Sequence, residues 1–90
     1  MNDATQRPAA DRVPVVVLIS GGGTNLQALI DDAASQAPYR VSGVISNRPG
    51  VRGLERAAAA GIPTLVIDHQ QFDGREPFDT ALAHAIDRMA

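Results

Sequence analysis

The residues best suited to chemistry form a glycine-rich turn at positions 20–25, Ser-Gly-Gly-Gly-Thr-Asn. An apolar run precedes this turn and an amphipathic stretch follows it, which predicts the order strand, turn, helix. Backbone N–H groups at a helix start lack intrahelical partners, and the helix dipole adds partial positive charge there. Glycines let an anion approach the backbone, while Thr24 and Asn25 add a hydroxyl and an amide donor. The turn therefore predicts an anion site, but it contains no Lys or Arg, so tight binding requires cations from elsewhere in the fold.

The spacing of the glycines narrows the kind of anion. A dinucleotide fingerprint needs Gly-x-Gly-x-x-Gly and an acid about 20 residues later. Counted from Gly21 and Gly23, the third glycine position is Leu26, and the predicted second strand ends without an acid. A Walker A loop needs Gly-Lys-Ser/Thr, whereas Thr24 directly follows the last glycine. A phosphate monoester is the best remaining fit, and a tight turn that binds nothing stays open as the alternative.

Other polar side chains could contribute to a site, but each has a simpler interpretation. Asn47 follows the second predicted strand at the edge where open α/β sheets bind ligands, although such an Asn more often caps the next turn. His69 and His84 have no Asp or Glu at a triad or metal-site spacing, which predicts surface histidines. Taken by itself, Arg75 is a solvated charge. The residues alone therefore predict no metal site and no nucleophile–base pair.

The elements around the turn alternate between strands and helices. Residues 13–19 are a near-continuous β-branched run, typical of a parallel strand covered on both faces. An apolar helical stripe begins at Leu26, with Thr24 or Asn25 as the expected N-cap. The later elements are predicted as a strand at 41–46, a helix at 54–60, a strand at 64–67, and a last helix carrying Phe78, Leu82, Ala85, Ile86 and Met89. The order βαβαβα predicts an α/β fold with a three-layer, Rossmann-like parallel sheet.

The bulk composition excludes several classes of protein. The chain has 90 residues, a net charge of -2 and no cysteine, so it has neither disulfides nor a Cys-based zinc site. Acids and bases are interspersed, which argues against nucleic-acid and membrane-surface partners. No apolar stretch approaches the roughly 18 residues of a membrane helix. Because residues 1–12 lack the apolar run of a signal peptide, we expect a cytoplasmic protein.

The chain is predicted to be the front part of a larger domain. Residues 1–12 are expected to form a disordered tail. Residues 13–90 supply only three strands, which leave a partly uncovered sheet and exposed edges, whereas a doubly wound sheet adds another strand. We therefore expect residues 13–90 to be the truncated amino-terminal part of a nucleotide- or phosphate-binding domain. A complete small α/β domain is the alternative.

Five strings of residues, in order, resemble the phosphoribosylglycinamide formyltransferase family, also called glycinamide ribonucleotide transformylases. They are residues 15–27, 44–47, 53–57, 60–63 and 72–76. The most specific string is Ser-Gly-Gly-Gly-Thr-Asn-Leu-Gln at 20–27, and the resemblance is to the amino-terminal part of the family only. It implies the formyltransferase fold and transfer of a formyl group from 10-formyltetrahydrofolate to glycinamide ribonucleotide, in de novo purine (IMP) biosynthesis.

The resemblance also implies roles for particular residues. Gly23, Thr24 and Asn25 match the family's positions that bind the ribose phosphate of the substrate. Arg75 matches an arginine associated with the folate cofactor. The family's catalytic Asn, His and Asp lie in later segments, including an Asn-x-His-Pro string that this sequence lacks. No catalytic residue is therefore expected here, and the 90 residues alone are expected to be inactive.

Two other functions stay open at this point. A formyltetrahydrofolate deformylase resembles the same fold, but that family usually carries a regulatory domain before the first strand and a different turn. A non-catalytic phosphate-binding module, complete in 90 residues, is the second. Such a module should fold and bind alone, whereas the front part of an enzyme should need its missing half.

Overall fold

The computed structural model describes residues 12–35 and 37–90, in which three strands alternate with three α-helices. The elements are β1 (Val13–Ile19), α1 (Thr24–Ala34), β2 (Tyr39–Ser46), α2 (Arg52–Ala59), β3 (Thr64–Val66) and α3 (Arg75–Met89). A single turn of 3-10 helix, His69–Gln71, lies between β3 and α3. The predicted βαβαβα order is confirmed. None of the helices described is long and apolar enough to cross a membrane.

The element bounds differ from the predicted ones by one or two residues. Strand β2 begins at Tyr39 rather than at 41, because Tyr39 and Arg40 pair with the first residues of β1. Helix α2 begins at Arg52 rather than at 54, and β3 ends at Val66 rather than at 67. The predicted disordered tail lies outside the described residues except for Arg12, whose guanidinium donates a 2.9 Å hydrogen bond to the Ala33 carbonyl.

The sheet is parallel throughout, with the strand order β1-β2-β3. Ser46, the last residue of β2, pairs with Ile19 of β1 and with Val66 of β3. The carboxyl ends of all three strands therefore meet at one edge, as the Rossmann-like prediction requires. The glycine turn and Asn47 both follow strand ends at this edge.

Helices cover both faces of the sheet, which gives the predicted three layers. On one face, Leu26 of α1 and Ala57 of α2 pack with Val44 of β2, and each is at most 1% exposed. On the other face, Ala85 of α3 packs with Ile45 of β2. The neighbours Val44 and Ile45 serve opposite faces because side chains alternate along a strand. Burial on both faces explains why the apolar residues Val44 and Ile45 are adjacent rather than alternating with polar ones.

The outer strands leave apolar side chains uncovered. Val13 and Leu18 of β1 are 57% and 52% exposed, and Leu65 of β3 is 42% exposed. Helix α3 packs against the central strand through Ala85 and Ile45, whereas about half of Leu18 at the β1 edge stays exposed. The predicted partly uncovered sheet is confirmed for this part of the chain.

Candidate phosphate-binding site

The glycine turn joins the end of β1 at Ile19 to the start of α1 at Thr24. The N-cap is Gly23, with φ 77° and ψ 28°, and no side chain caps the helix. The prediction that Thr24 or Asn25 caps α1 is therefore wrong. The left-handed backbone at Gly23, which other residues rarely adopt, brings the chain into the helix one residue earlier. Thr24 and Asn25 consequently lie in the first helical turn, where both are exposed.

A pocket of about 260 Å³ opens at this turn. The end of β1, the turn and the first residues of α1 line it, and Gly23, Thr24 and Asn25 are all among the lining residues. The structure thus brings the three predicted substrate-binding residues to one concave surface. Within residues 12–35 and 37–90, the N–H groups of Gly22 and Gly23 donate to no protein acceptor. Unpaired N–H groups, a hydroxyl and an amide at a helix start form a surface suited to an anion.

A positive charge reaches the turn from α2, and sequence reasoning missed it. The Arg56 guanidinium donates from Nε to the Gly22 carbonyl oxygen at 2.8 Å and from Nη1 to Gln27 Oε1 at 3.4 Å. Arg56 lies 34 residues after Gly22, and no local pattern indicates that α2 packs against the turn. The only signal was its position in the string 53–57, which resembles the formyltransferase family.

A second pocket, of about 230 Å³, lies at the same edge on the α3 side. Its walls are apolar apart from Ser20 and Asn47. The predicted capping role of Asn47 is wrong, because its buried Oδ1 has no hydrogen-bond partner. The preceding residue holds the turn instead, since Ser46 Oγ accepts a 3.1 Å hydrogen bond from Arg48 N–H. The alternative interpretation, that Asn47 contacts a substrate, stays a prediction.

Arg75 is the first residue of α3. Its side chain is 91% exposed, and its Nε lies 3.5 Å from Asp79 Oδ2, one helical turn later. Arg75 lines neither of the two pockets at the strand ends. The structure therefore does not bring this predicted cofactor-binding residue to the glycine turn.

Both histidines are exposed, as the sequence predicts. The backbone N–H of His69 donates to the Asn47 carbonyl at 3.3 Å, and its ring Nδ1 lies 3.1 Å from the same oxygen. The ring meets Phe78 edge-on, with 6.5 Å between centroids. In the part of the chain that the structure describes, no three His, Cys, Asp or Glu side chains form a group that could hold a metal ion.

The site and the fold have close relatives among known proteins. Residues 13–90 match the family model described as formyl transferase. The chain is 57% identical over 74 residues to the trifunctional purine biosynthetic protein adenosine-3 of Drosophila melanogaster, covering 79% of this chain and 6% of that protein. It is 47% identical over 77 residues to the phosphoribosylglycinamide formyltransferase of Escherichia coli strain K12, covering 84% of this chain and 36% of that protein.

The solved structures agree with the sequence relatives. Phosphoribosylglycinamide formyltransferase from Coxiella burnetii, solved in complex with CHES, superposes with a TM-score of 0.83 at 45% identity. The match covers 87% of this chain and 37% of the Coxiella chain, so the chain spans little more than a third of that relative. The family model and the fold both extend from the first strand to the last residue, and the chain belongs to the formyl transferase family.

Proposed function

We propose that this chain provides the substrate-phosphate-binding part of a phosphoribosylglycinamide formyltransferase. Such an enzyme transfers a formyl group from 10-formyltetrahydrofolate to glycinamide ribonucleotide in de novo purine (IMP) biosynthesis. The names of the Escherichia coli and Coxiella burnetii relatives support this activity, and the name of the Drosophila relative supports the pathway. These names favour the transferase over the deformylase-like hydrolase and over the non-catalytic module. We also propose a cytoplasmic location, as the sequence predicts.

The observation that carries the proposal is that Gly23, Thr24 and Asn25 line the same pocket. These residues lie at the amino end of an 11-residue helix, where the dipole favours a negative group. Both side chains are exposed and neither caps the helix, so both are available to a ligand. A ribose phosphate is an anion whose terminal phosphate oxygens accept hydrogen bonds from backbone N–H, hydroxyl and amide donors.

The proposed role of the turn is to position the substrate. In the reaction, the glycinamide amine attacks the formyl carbon, the bond from that carbon to the folate nitrogen breaks, and the amine loses a proton. Anchoring the phosphate at one end restricts where the amine at the other end can lie, which lowers the entropic cost of reaction. The family's Asn and protonated His, which would stabilise the oxyanion, and its Asp, which would tune the His, belong to segments outside these residues. We propose that Arg75 contacts the folate.

A hybrid enzyme tests the proposal. In this hybrid, residues 13–90 replace the matching segment of the Escherichia coli relative, so that the segments absent here are supplied. We expect the hybrid to form formylglycinamide ribonucleotide. We expect the double substitution Thr24→Val and Asn25→Leu to raise KM for glycinamide ribonucleotide by about 10²-fold, because two hydrogen bonds to a charged group are lost.

The matched control is Ser35→Ala, which removes a hydroxyl from the opposite end of α1, where it bonds to Asp31 O at 3.2 Å. We expect this variant to keep KM for the ribonucleotide within about twofold. A folded hybrid that releases formate without formylating the ribonucleotide would support the hydrolase instead. An unchanged KM for glycinamide ribonucleotide in the double variant would contradict the proposal that the turn binds the phosphate.

A further inference from the structure

The glycine turn is held from the side of α2. The backbone N–H of Gly53 donates to the Gly21 carbonyl oxygen at 3.0 Å. One turn further along α2, Arg56 Nε donates to the Gly22 carbonyl oxygen at 2.8 Å. Two successive carbonyl groups of the turn therefore point towards α2, and each has a donor that fixes its direction.

The direction of each carbonyl determines the direction of the next N–H. No peptide bond in the described residues is cis, and in a planar trans peptide the C=O and N–H groups point in opposite directions. The Gly21 carbonyl shares its peptide plane with the Gly22 N–H, and the Gly22 carbonyl shares its plane with the Gly23 N–H. Both N–H groups must therefore point away from α2, and neither has a protein acceptor in the described part of the chain.

The contact between the turn and α2 is too close for side chains. A Cβ at Gly23 would lie 2.7 Å from Gly53 Cα and 3.3 Å from Arg56 Cδ. The stem of Arg56 consequently packs directly on the turn, and its guanidinium has little freedom to move away. Gln27 Oε1 is a second acceptor for the same guanidinium, at 3.4 Å. The half-buried Arg56 is thus held by its hydrogen bonds to Gly22 and Gln27 and by the packing of its Cδ on the turn.

Arg56 also supplies charge that the turn lacks. Positions 20–25 contain no Lys or Arg, and a helix terminus alone contributes only about 0.3–2 kcal/mol to binding an anion. The Arg56 guanidinium carries a fixed positive charge, because arginine stays protonated in proteins. Its position behind the Gly22 peptide polarises that peptide, which makes the Gly23 N–H a stronger donor.

We propose that Arg56 is a positioning residue for the phosphate-binding turn: by holding the Gly22 carbonyl against α2, it directs the Gly23 N–H towards the phosphate of the substrate. This inference rests on the proposed function of the turn. Arg56 acts through the peptide and lines a separate pocket between α1 and α2, together with Gln27 and Glu55, rather than the pocket of the turn.

The first test uses the hybrid enzyme, whose chain carries residues 13–90, with inorganic phosphate as the probe. Amide NMR signals of Gly22 and Gly23 are followed during a phosphate titration for the unmodified chain, Arg56→Met and Arg56→Lys. The matched control is Arg52→Met, which removes an exposed charge from the same helix. We expect Arg56→Met to raise the phosphate Kd about tenfold, Arg56→Lys to restore part of the loss, and Arg52→Met to stay within about twofold.

The kinetics of the hybrid enzyme give a second readout. There, we expect Arg56→Met to raise KM for glycinamide ribonucleotide about tenfold while kcat and KM for 10-formyltetrahydrofolate stay within about twofold. A purely structural role would instead lower the amount of active enzyme without this split.

The outcomes separate the two proposals. If neither glycine amide of the unmodified chain responds to phosphate and the Thr24 and Asn25 double variant keeps its KM, the proposed phosphate site fails and this inference fails with it. If the amides respond but Arg56→Met binds phosphate as well as the unmodified chain, only the role of Arg56 is overturned. Equal losses in Arg56→Met and Arg52→Met would also overturn it, because they would indicate a general effect of charge.

Discussion

The glycine turn and the start of α3 are held in the fold in different ways. Gly53 and Arg56 of α2 hold the turn through its backbone, and Leu26 behind it is only 1% exposed. Arg75, at the start of α3, is 91% exposed and has one ion pair, with Asp79. The family resemblance assigns a ligand to each region, the ribose phosphate to the first and the folate to the second.

This difference indicates two kinds of ligand contact. Donors that are already fixed in direction lose little conformational freedom when a ligand binds. An exposed arginine must first be ordered, which costs about 0.5–1.5 kcal/mol per immobilised side chain. We therefore expect substitutions at the turn to change both stability and phosphate binding. Substitutions at Arg75 should change folate binding and leave stability almost unaffected.

The largest effect is expected from Gly23→Ala. The left-handed backbone at this position costs a side chain about 1–3 kcal/mol, and the new Cβ would lie 2.7 Å from the Gly53 Cα atom. Overlap with backbone adds roughly 1–3 kcal/mol. We expect the hybrid enzyme to lose about 2–6 kcal/mol in its free energy of unfolding, measured with urea.

The adjacent Gly22→Ala is the matched control for that experiment. A Cβ at Gly22 would have no heavy atom within 4 Å, and its φ is not positive. The free energy of unfolding should then change by less than about 1 kcal/mol. Equal losses in the two variants would show that the contact between the turn and α2 does not constrain the backbone as described.

Sequence reasoning recovered the parts of the fold that local patterns determine. The β-branched run of β1, the helical stripe from Leu26 and the alternation of elements predicted the three layers correctly. Gly23, Thr24 and Asn25 also lie together in one pocket at the turn, and their role in binding stays a prediction. Each of these features depends on neighbours within a few positions along the chain.

The features that were missed depend on distant contacts or on backbone conformation. Arg56 contacts Gly22 of the turn although the two residues are 34 positions apart in sequence. The hydrophobic pattern of α2 does not indicate which side of that helix faces the turn. Gly23 is the N-cap of α1 because the chain enters the helix through a residue with left-handed backbone. The usual preference for Thr or Asn at this position predicts a side-chain cap instead. At the end of β2, Ser46 rather than Asn47 holds the turn, although Ser generally forms such turns more weakly than Asn.

Arg75, at the start of α3, is the residue proposed to contact the folate. In the hybrid enzyme, we expect Arg75→Ala to raise KM for 10-formyltetrahydrofolate about tenfold, or about 1.4 kcal/mol, and to leave KM for glycinamide ribonucleotide within about twofold. The exposed Arg88 in the last turn of the same helix supplies the control, Arg88→Ala. A larger rise in KM for glycinamide ribonucleotide than for 10-formyltetrahydrofolate would contradict a role of Arg75 in folate binding.

A smaller effect is expected where β2 meets the end of α3. A Cβ at Gly43 would lie 2.7 Å from Met89 Sδ. A methionine side chain is flexible and can move aside, unlike the backbone of Gly53 opposite Gly23. Gly43→Ala should therefore cost only about 1 kcal/mol in the free energy of unfolding. Combining it with Met89→Ala should remove most of that cost, and strictly additive losses would contradict the contact.

The smallest effect is expected at Tyr39, far from both ligand regions. Its hydroxyl donates to Asp32 Oδ2 at 2.7 Å, and this hydrogen bond, followed by desolvation and the charge of Asp32, raises the pKa of Tyr39 above its ordinary value. Because the pKa is raised in the folded state, the stabilisation is complete below the ordinary tyrosine pKa of about 10 and is lost as pH rises through the raised value.

Tyr39 is the single tyrosine and there is no tryptophan, so absorbance of the tyrosinate form reports on it alone in the 90-residue chain. We expect Asp32→Asn to move the titration midpoint to lower pH, since the carboxylate that favours the protonated hydroxyl is gone. Asp31→Asn is the control, because the Asp31 carboxylate accepts from Gln27 instead. Identical midpoints in the Asp32 variant and the unmodified chain would mean that Tyr39 and Asp32 do not form this bond in solution.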